Sequence, residues 1–239
     1  MRVAYGSDAN QFVDLRMPKT RGSHALVICI HGGYWRAKYD LEYLGHFCVG
    51  LRAKGVATAN VEYRRVGNPG GGWPGTFADI RAAYQFLLQS AARYEFDLGR
   101  VIVLGHSAGG QLALCLAARE AGVKTAISVA GVVDLRRAYE LHLSNDAVVE
   151  FLGGTPTEVE DHYREADPMK LAIRARQWLV HGSADDIVPP SLSKDYVKAK
   201  AKEDARLVMI PDAGHFEIVD PRSEAWRDVE RVVMAEGKA

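Results

Sequence analysis

The stretch "VIVLGHSAGGQ" (residues 101–111) joins an apolar, β-forming run to the start of a helical pattern. Its first four residues are valine, isoleucine and leucine, as in strands that are buried on both faces of a sheet. Ser107 stands at the junction, with Gly105 and Gly109 two positions before and after it. Glycines there leave room for a helix to double back on its strand. The stretch therefore predicts a tight strand–turn–helix unit with an exposed serine hydroxyl.

Outside this unit, short apolar runs alternate with helical patterns along the chain. The other runs fall at 25–30, 56–61, 125–130, 176–182 and 205–210, and the helical patterns at 40–54, 76–94, 108–121, 191–203 and 222–236. Segments around 3–5 and 12–17 could form an opening hairpin. This alternation predicts the α/β class, with a mostly parallel central sheet and helices on both faces.

Residues 132–175 break the alternation. They have the pattern of short helices that are separated at Pro156 and Pro168. The segment is too short for an independent domain, so we expect one domain over residues 1–239 with a short helical cap at about 132–175. The alternative is an ordinary surface excursion.

Composition excludes several classes of function. Acidic and basic residues number 30 each, so nothing favours nucleic-acid binding. The chain has no apolar run of about 18 residues and no signal-peptide pattern at its start, so we expect a cytoplasmic protein without membrane contact. Cys29, Cys48 and Cys115 are expected to be buried, reduced thiols, and no metal-site spacing is present. Composition leaves a monomer and a homodimer equally open.

The pattern G-x-S-x-G at residues 105–109 is typical of a nucleophile held on a strained turn. Ser107 is the candidate nucleophile, and the Ala108 amide, at the start of the helix, could donate to an oxyanion. The alternative for the pattern by itself is a plain strand–helix turn in a nucleotide-binding sheet.

A serine nucleophile needs a base, and the base needs an orienting acid. His215 lies in "PDAGHFEIVDP" (211–221), a loop that follows the last predicted strand and opens at the same sheet edge as Ser107. His215 is therefore the candidate base. The loop "HGSADDIVPP" (181–190) offers Asp185 and Asp186 as the acid, and Asp134 is a competitor from an earlier strand end.

The stretch "HGGYW" (31–35) follows another predicted strand. Consecutive glycines let a backbone approach a ligand closely and present its amides. Gly33 and Tyr34, together with Ala108, are the candidate oxyanion-hole donors. Tyr34 and Trp73, the latter in the glycine-rich loop "GNPGGGWPG" (67–75), are candidate substrate-binding aromatics, although both could simply pack in the core or rim.

These residues resemble the α/β-hydrolase superfamily over essentially the whole chain. The order serine, acid, histidine is that of the superfamily, and "HGSADDIVP" resembles its acid turn, which maps the acid onto Asp185. "HGGYW" and "GHSAGG" are similar to hormone-sensitive-lipase-like carboxylesterases and to kynurenine formamidases (arylformamidases). Esterases of this group usually carry a third glycine where Tyr34 stands, so "HGGYW" is closer to the formamidase form.

The resemblance implies an α/β-hydrolase fold and a serine hydrolase without a cofactor, acting through an acyl-serine intermediate. A compact chain with a short cap leaves limited room for a long acyl chain, so we expect small-molecule carboxylic esters with short acyl groups as substrates. An arylformamidase, cleaving a formamide such as N-formylkynurenine, is the alternative. A non-catalytic binding protein of the same fold is a remote alternative, since such proteins typically lose one of the three residues.

Overall fold

The computed structural model describes residues 1–238, and within them eight strands form one sheet. The strands are β1 (Arg2–Ala4), β2 (Phe12–Arg16), β3 (His24–Ile30), β4 (Ala57–Val61), β5 (Phe96–His106), β6 (Thr125–Val129), β7 (Arg176–Gly182) and β8 (Ala205–Ile210). The helices are α1 (Gly45–Ala53), α2 (Gly75–Gln89), α3 (Ala91–Tyr94), α4 (Ala108–Arg119), α5 (Leu135–Glu140), α6 (Ala147–Leu152), α7 (Glu160–Ala166), α8 (Ser191–Ala199) and α9 (Trp226–Glu236).

The strand order across the sheet is β1-β2-β4-β3-β5-β6-β7-β8. Strands β4, β3 and β5 to β8 run parallel, while β1 and β2 form an antiparallel hairpin at one edge. The predicted mostly parallel sheet and the opening hairpin are confirmed. Because all the parallel strands end on one edge, the loops that follow them lie together there.

Two apolar layers cover the faces of the sheet, as predicted. In β3 alternate side chains point to opposite faces, so Leu26 and Ile28 belong to one core while Val27 and Cys29 belong to the other. The first core is packed by α2, α4 and α8, and the second by α1 and α9. The three cysteines are buried free thiols, as expected.

Several predicted boundaries are wrong. Strand β5 begins at Phe96 rather than at residue 101, because a register irregularity pairs Phe96 with His24 ahead of the apolar run. The helix predicted over 76–94 is interrupted at Ser90 and continues as α3. The pattern at 191–203 forms a helix only as far as Ala199.

The predicted cap segment, 132–175, contains α5, α6 and α7. A run of left-handed residues precedes α6, with φ between 50° and 58° at His142, Ser144, Asn145 and Asp146. Arg36, from the loop after β3, holds this run by bonding the Ser144 hydroxyl and the Glu150 carboxylate. That the segment acts as a cap stays a prediction.

The turn between β5 and α4 depends on close backbone approach. A Cβ atom on Gly105 would overlap the carbonyl of Gly109, and one on Gly109 would overlap the carbonyls of Ile30 and His31. The helix can therefore start directly at the strand end only because neither position carries a side chain.

We expect Gly105→Ala to lower the free energy of unfolding by about 3 kcal/mol, since backbone atoms on both sides would have to shift. Urea unfolding followed by circular dichroism would measure the loss. Gly45→Ala is the matched control, because its added Cβ would meet only the flexible end of Arg16, at 3.6 Å. Equal stability of the two variants would contradict this account of the turn.

Candidate active site

Ser107 occupies the turn between β5 and α4 with φ 57° and ψ −122°. A positive φ is unfavourable for serine and costs about 1–3 kcal/mol, so the surrounding structure must impose it. Its amide donates to the Val129 carbonyl at 2.9 Å, and its carbonyl accepts from the Gly110 amide at 2.9 Å. The residue is only 3% exposed, so the predicted exposure of its hydroxyl is wrong, and Ser107 instead lines a cavity. Both bonds hold the backbone in the strained form that the sequence predicts.

His215 and Asp185 are brought together from two different loops at the same sheet edge. Nδ1–H of His215 donates to Oδ2 of Asp185 at 2.7 Å. Both side chains are buried. Because a carboxylate only accepts, the proton of the neutral ring lies on Nδ1, which leaves Nε2 with a free lone pair.

The Asp185 carboxylate receives further hydrogen bonds. Oδ1 accepts from the amides of Ile187 and Val188, each at 2.9 Å, and Oδ2 also accepts from Nε2–H of His181 at 3.1 Å. Burial acts to raise the pKa of Asp185, but the bonds from His181 and His215 outweigh it, and the pKa lies well below the ordinary value of 3.8. The carboxylate therefore stays ionised across the neutral pH range.

The other two candidate acids lie elsewhere. Asp186 is exposed, and Asp134 accepts from the Arg137 amide at 2.8 Å, where it caps the start of α5. The structure thus brings Asp185, and neither alternative, to His215. His181 is not among the candidates that the sequence pattern singles out, and only the structure shows it bonded to Asp185.

Ser107 and His215 line one cavity of ≈ 270 Å³. The remaining lining residues are mostly aromatic or apolar and include Tyr34, Tyr39, Tyr43, Ile187 and Phe216, together with Gly33, His106 and Ser144. Within residues 1–238, the Ser107 hydroxyl and Nε2 of His215 form no hydrogen bond with each other. A neighbouring cavity of ≈ 290 Å³ shares Tyr43 and Phe216 with the first.

The loop after β3 presents backbone amides beside this cavity. Nδ1–H of His31 donates to the Gly32 carbonyl at 2.8 Å. Because the peptide is planar and trans, the Gly33 N–H points away from the His31 ring. Gly33 and Tyr34 both have positive φ, 101° and 49°. In the part of the chain that the structure describes, their amides donate to no protein acceptor.

Ala108 completes this set of candidate donors. It is the first residue of α4, so its amide has no acceptor within the helix. The start of a helix also carries partial positive charge, which favours an anion. The Ala108 amide, next to Ser107 in the chain, therefore stays a candidate anion donor.

The two aromatic candidates have different places. Tyr34 lines the Ser107 cavity, and its hydroxyl donates to the Ile187 carbonyl at 2.9 Å. Trp73 is not brought to that cavity, since its ring stacks on Phe77 and meets Phe151 edge-on. Its aromatic character serves packing between the glycine-rich loop and α6.

Within residues 1–238, no group of three or more histidine, cysteine or acidic side chains is placed to hold a metal ion. Among the same residues, no helix combines the length and apolar composition needed to cross a bilayer.

The mostly parallel sheet, with its serine at the turn after β5, defines an α/β-hydrolase fold. A solved structure described as a truncated carbohydrate esterase from gut microbiota superposes with a TM-score of 0.84. It matches 100% of this chain and 95% of its own at 20% identity, which shows the shared fold. The resemblance to α/β-hydrolases is confirmed.

The BD-FAE family model matches residues 13–199, and the chain belongs to that family. A probable isoprenylcysteine α-carbonyl methylesterase of Arabidopsis thaliana is 23% identical over 90% of this chain, which spans 57% of that relative's length. A kynurenine formamidase of Salmo salar is 24% identical over 92% of this chain and 76% of its own.

We expect Asp185→Asn to lower the free energy of unfolding at pH 7 by about 2 kcal/mol, because buried donors lose their ionised acceptor. The lowered pKa of Asp185 means that the carboxylate stabilises the fold above its ordinary pKa. That stabilisation is lost as the pH falls below 3.8 toward the folded-state value.

Urea unfolding of both proteins between pH 7 and pH 3 checks this expectation. The difference should be constant down to about pH 5 and shrink below pH 4. The exposed Asp186→Asn variant serves as the control and should follow the unmodified protein. A difference that stays constant below pH 4 would contradict the assignment.

Proposed function

We propose that this protein is a serine hydrolase that cleaves small carboxylic esters with short acyl groups through an acyl-serine intermediate. The observation that carries the proposal is one cavity lined by both Ser107, on its strained turn, and His215, whose ring is bonded to a buried Asp185. Esterases among the relatives and structural neighbours support the same reaction class.

In the proposed mechanism, Ser107 attacks the substrate carbonyl while Nε2 of His215 accepts the hydroxyl proton. Catalytic hydrogen bonds are often long in the free enzyme and shorten with substrate bound, so these two groups close to bonding distance in the complex. Asp185 orients the ring and stabilises its cation. His215 then protonates the leaving alcohol and activates the water that hydrolyses the acyl-serine.

The tetrahedral intermediate carries a negative charge on the former carbonyl oxygen. The Gly33, Tyr34 and Ala108 amides are the proposed donors to that oxygen. Each such donor contributes on the order of 3 kcal/mol to the transition state. The donors are backbone groups in a constrained loop and at a helix start, so they need little reorganisation when charge develops.

The cavity supports a small acyl group. Its ≈ 270 Å³ falls just below the usual range for ligand pockets, about 300–1,000 Å³. Aromatic walls from Tyr34, Tyr39 and Tyr43 give it an apolar lining that suits a short acyl chain or an aromatic alcohol. The proposed reaction needs the chain's own residues, a small-molecule substrate and water.

A second candidate is an arylformamidase, which the same machinery could support because formyl is the smallest acyl group. The kynurenine formamidase of Salmo salar covers nearly the whole of this chain, and that similarity favours the candidate. The two activities differ in the acyl group, which is formyl in the second case, and in the leaving group, an alcohol or an aromatic amine.

We expect Ser107→Ala and His215→Ala each to lower kcat for p-nitrophenyl acetate by at least about 10³-fold while the circular dichroism spectrum stays unchanged. A fluorophosphonate probe should label Ser107 in the unmodified protein and nothing at that position in the alanine variant. An unlabelled Ser107 in the unmodified protein would favour a binding protein of the same fold.

The acid is tested by comparing Asp185→Asn with Asp186→Asn and Asp134→Asn. Asp185→Asn is expected to lower kcat by about 10³- to 10⁴-fold, because the ring loses its oriented tautomer. The other two should stay within about threefold, since neither carboxylate contacts His215. A severe loss of activity in either of them, with a mild loss in Asp185→Asn, would assign the orienting acid to that residue instead of Asp185.

Substrate preference is tested with p-nitrophenyl acetate, p-nitrophenyl octanoate and N-formylkynurenine. We expect kcat/KM for the acetate to exceed that for the octanoate by about 10-fold or more, because the cavity is small. Robust acetate turnover with negligible formamide cleavage would exclude the arylformamidase. Preference for the octanoate would contradict the short-acyl assignment.

A further inference from the structure

A chain of hydrogen bonds joins three of the segments that line the cavity. The Gly32 amide donates to Oη of Tyr43 at 2.6 Å, and Nδ1 of His106 lies 2.9 Å from the same oxygen. The other ring nitrogen of His106, Nε2, lies 3.0 Å from the carbonyl oxygen of His215. The chain thus runs from the loop after β3, through the residue before Ser107, to the loop that holds the histidine.

Only one arrangement of protons satisfies every member of this chain. A carbonyl oxygen only accepts, so Nε2 of His106 must donate to His215. His106 is fully buried, and burial, with His215 as the next contribution, lowers its pKa well below the ordinary 6.5. The neutral ring has one N–H, so Nδ1 accepts from the Tyr43 hydroxyl. The Tyr43 oxygen is then the acceptor for the Gly32 amide.

The chain fixes His215 at a second point. Its ring is already held at Nδ1 by Asp185, and the bond from His106 holds its backbone carbonyl. With the backbone and one ring atom both held, little freedom remains for the position of Nε2. At the other end, Gly32 is bonded through both its amide and its carbonyl, and the next residue is Gly33.

We propose that Tyr43 and His106 are positioning residues, which set the His215 ring and the Gly33 amide at working distance from Ser107. The proposal rests on the proposed function, because Ser107, His215 and Gly33 are assigned their roles there. A misplacement of about 1 Å costs up to about 100-fold in rate. Loss of these hydrogen bonds should therefore lower kcat more than it changes KM.

Tyr43→Phe tests the chain with the smallest change, the loss of one hydroxyl. We expect kcat for p-nitrophenyl acetate to fall by about 10- to 100-fold with KM within about twofold. Amide hydrogen exchange should become faster at Gly32 and at residues 211–217. Tyr84→Phe is the matched control, because it removes the hydroxyl of a buried tyrosine of α2 outside the cavity.

Two variants at His106 separate positioning from simple filling of space. The amide of His106→Gln can still reach the His215 carbonyl, whereas the shorter side chain of His106→Asn stops near the place of Nδ1. We expect His106→Gln to retain about tenfold more kcat than His106→Asn. His24→Asn, at the opposite end of the sheet, controls for the loss of a buried histidine.

Unchanged kcat and unchanged exchange in Tyr43→Phe would overturn the proposal. A fall in kcat without faster exchange at residues 211–217 would also overturn it, because Tyr43 would then act on the substrate directly. If the unmodified protein neither turns over ester nor is labelled at Ser107, the proposed function fails. The exchange measurement still tests in that case whether the hydrogen bonds hold the two loops, since faster exchange at Gly32 and at 211–217 does not depend on activity.

Discussion

The backbone of Ser107 is the constraint on which the site depends. Its positive φ places the hydroxyl beside the first amide of α4, and two glycines permit that geometry by leaving no side chain between strand and helix. The strained backbone is held by one bond to β6, at the Val129 carbonyl, and by one to the Gly110 amide of α4, so sheet and helix impose it together. A reactive group placed this way lies in the wall of the cavity at the carboxyl edge of the sheet.

The second organising element is the Asp185 carboxylate, which gathers four donors in a buried setting. Two of them are amides of its own loop, and two are imidazoles, His181 and His215. The own-loop bonds hold the carboxylate from within residues 185–188. An ionised group that is buried and fully bonded is rigid, and that rigidity passes to the His215 ring.

Much of this arrangement follows from local sequence patterns. The apolar runs predict the buried strands, because alternation of strand and helix leaves few ways to cover a parallel sheet. G-x-S-x-G predicts the tight turn at Ser107, since the glycines that permit the turn lie within five consecutive residues. Asp185 and Asp186 could not be separated by pattern within the loop itself, because adjacent residues of a tight turn share the same composition signal. The resemblance to a known acid turn favours Asp185, and in the structure Asp185 is the one of the two that is bonded to His215.

The sequence by itself determined the fold class, the serine at its turn and the loop that carries His215, because each depends on contiguous residues. Only the tertiary structure decided which side chains meet across loops. His106 and His215 are 109 residues apart, and nothing local in "GHSAG" indicates that the histidine bonds that distant carbonyl. For the same reason Trp73 could not be placed from its glycine-rich loop, because side-chain direction depends on the partners that packing supplies, here Phe77 and Phe151.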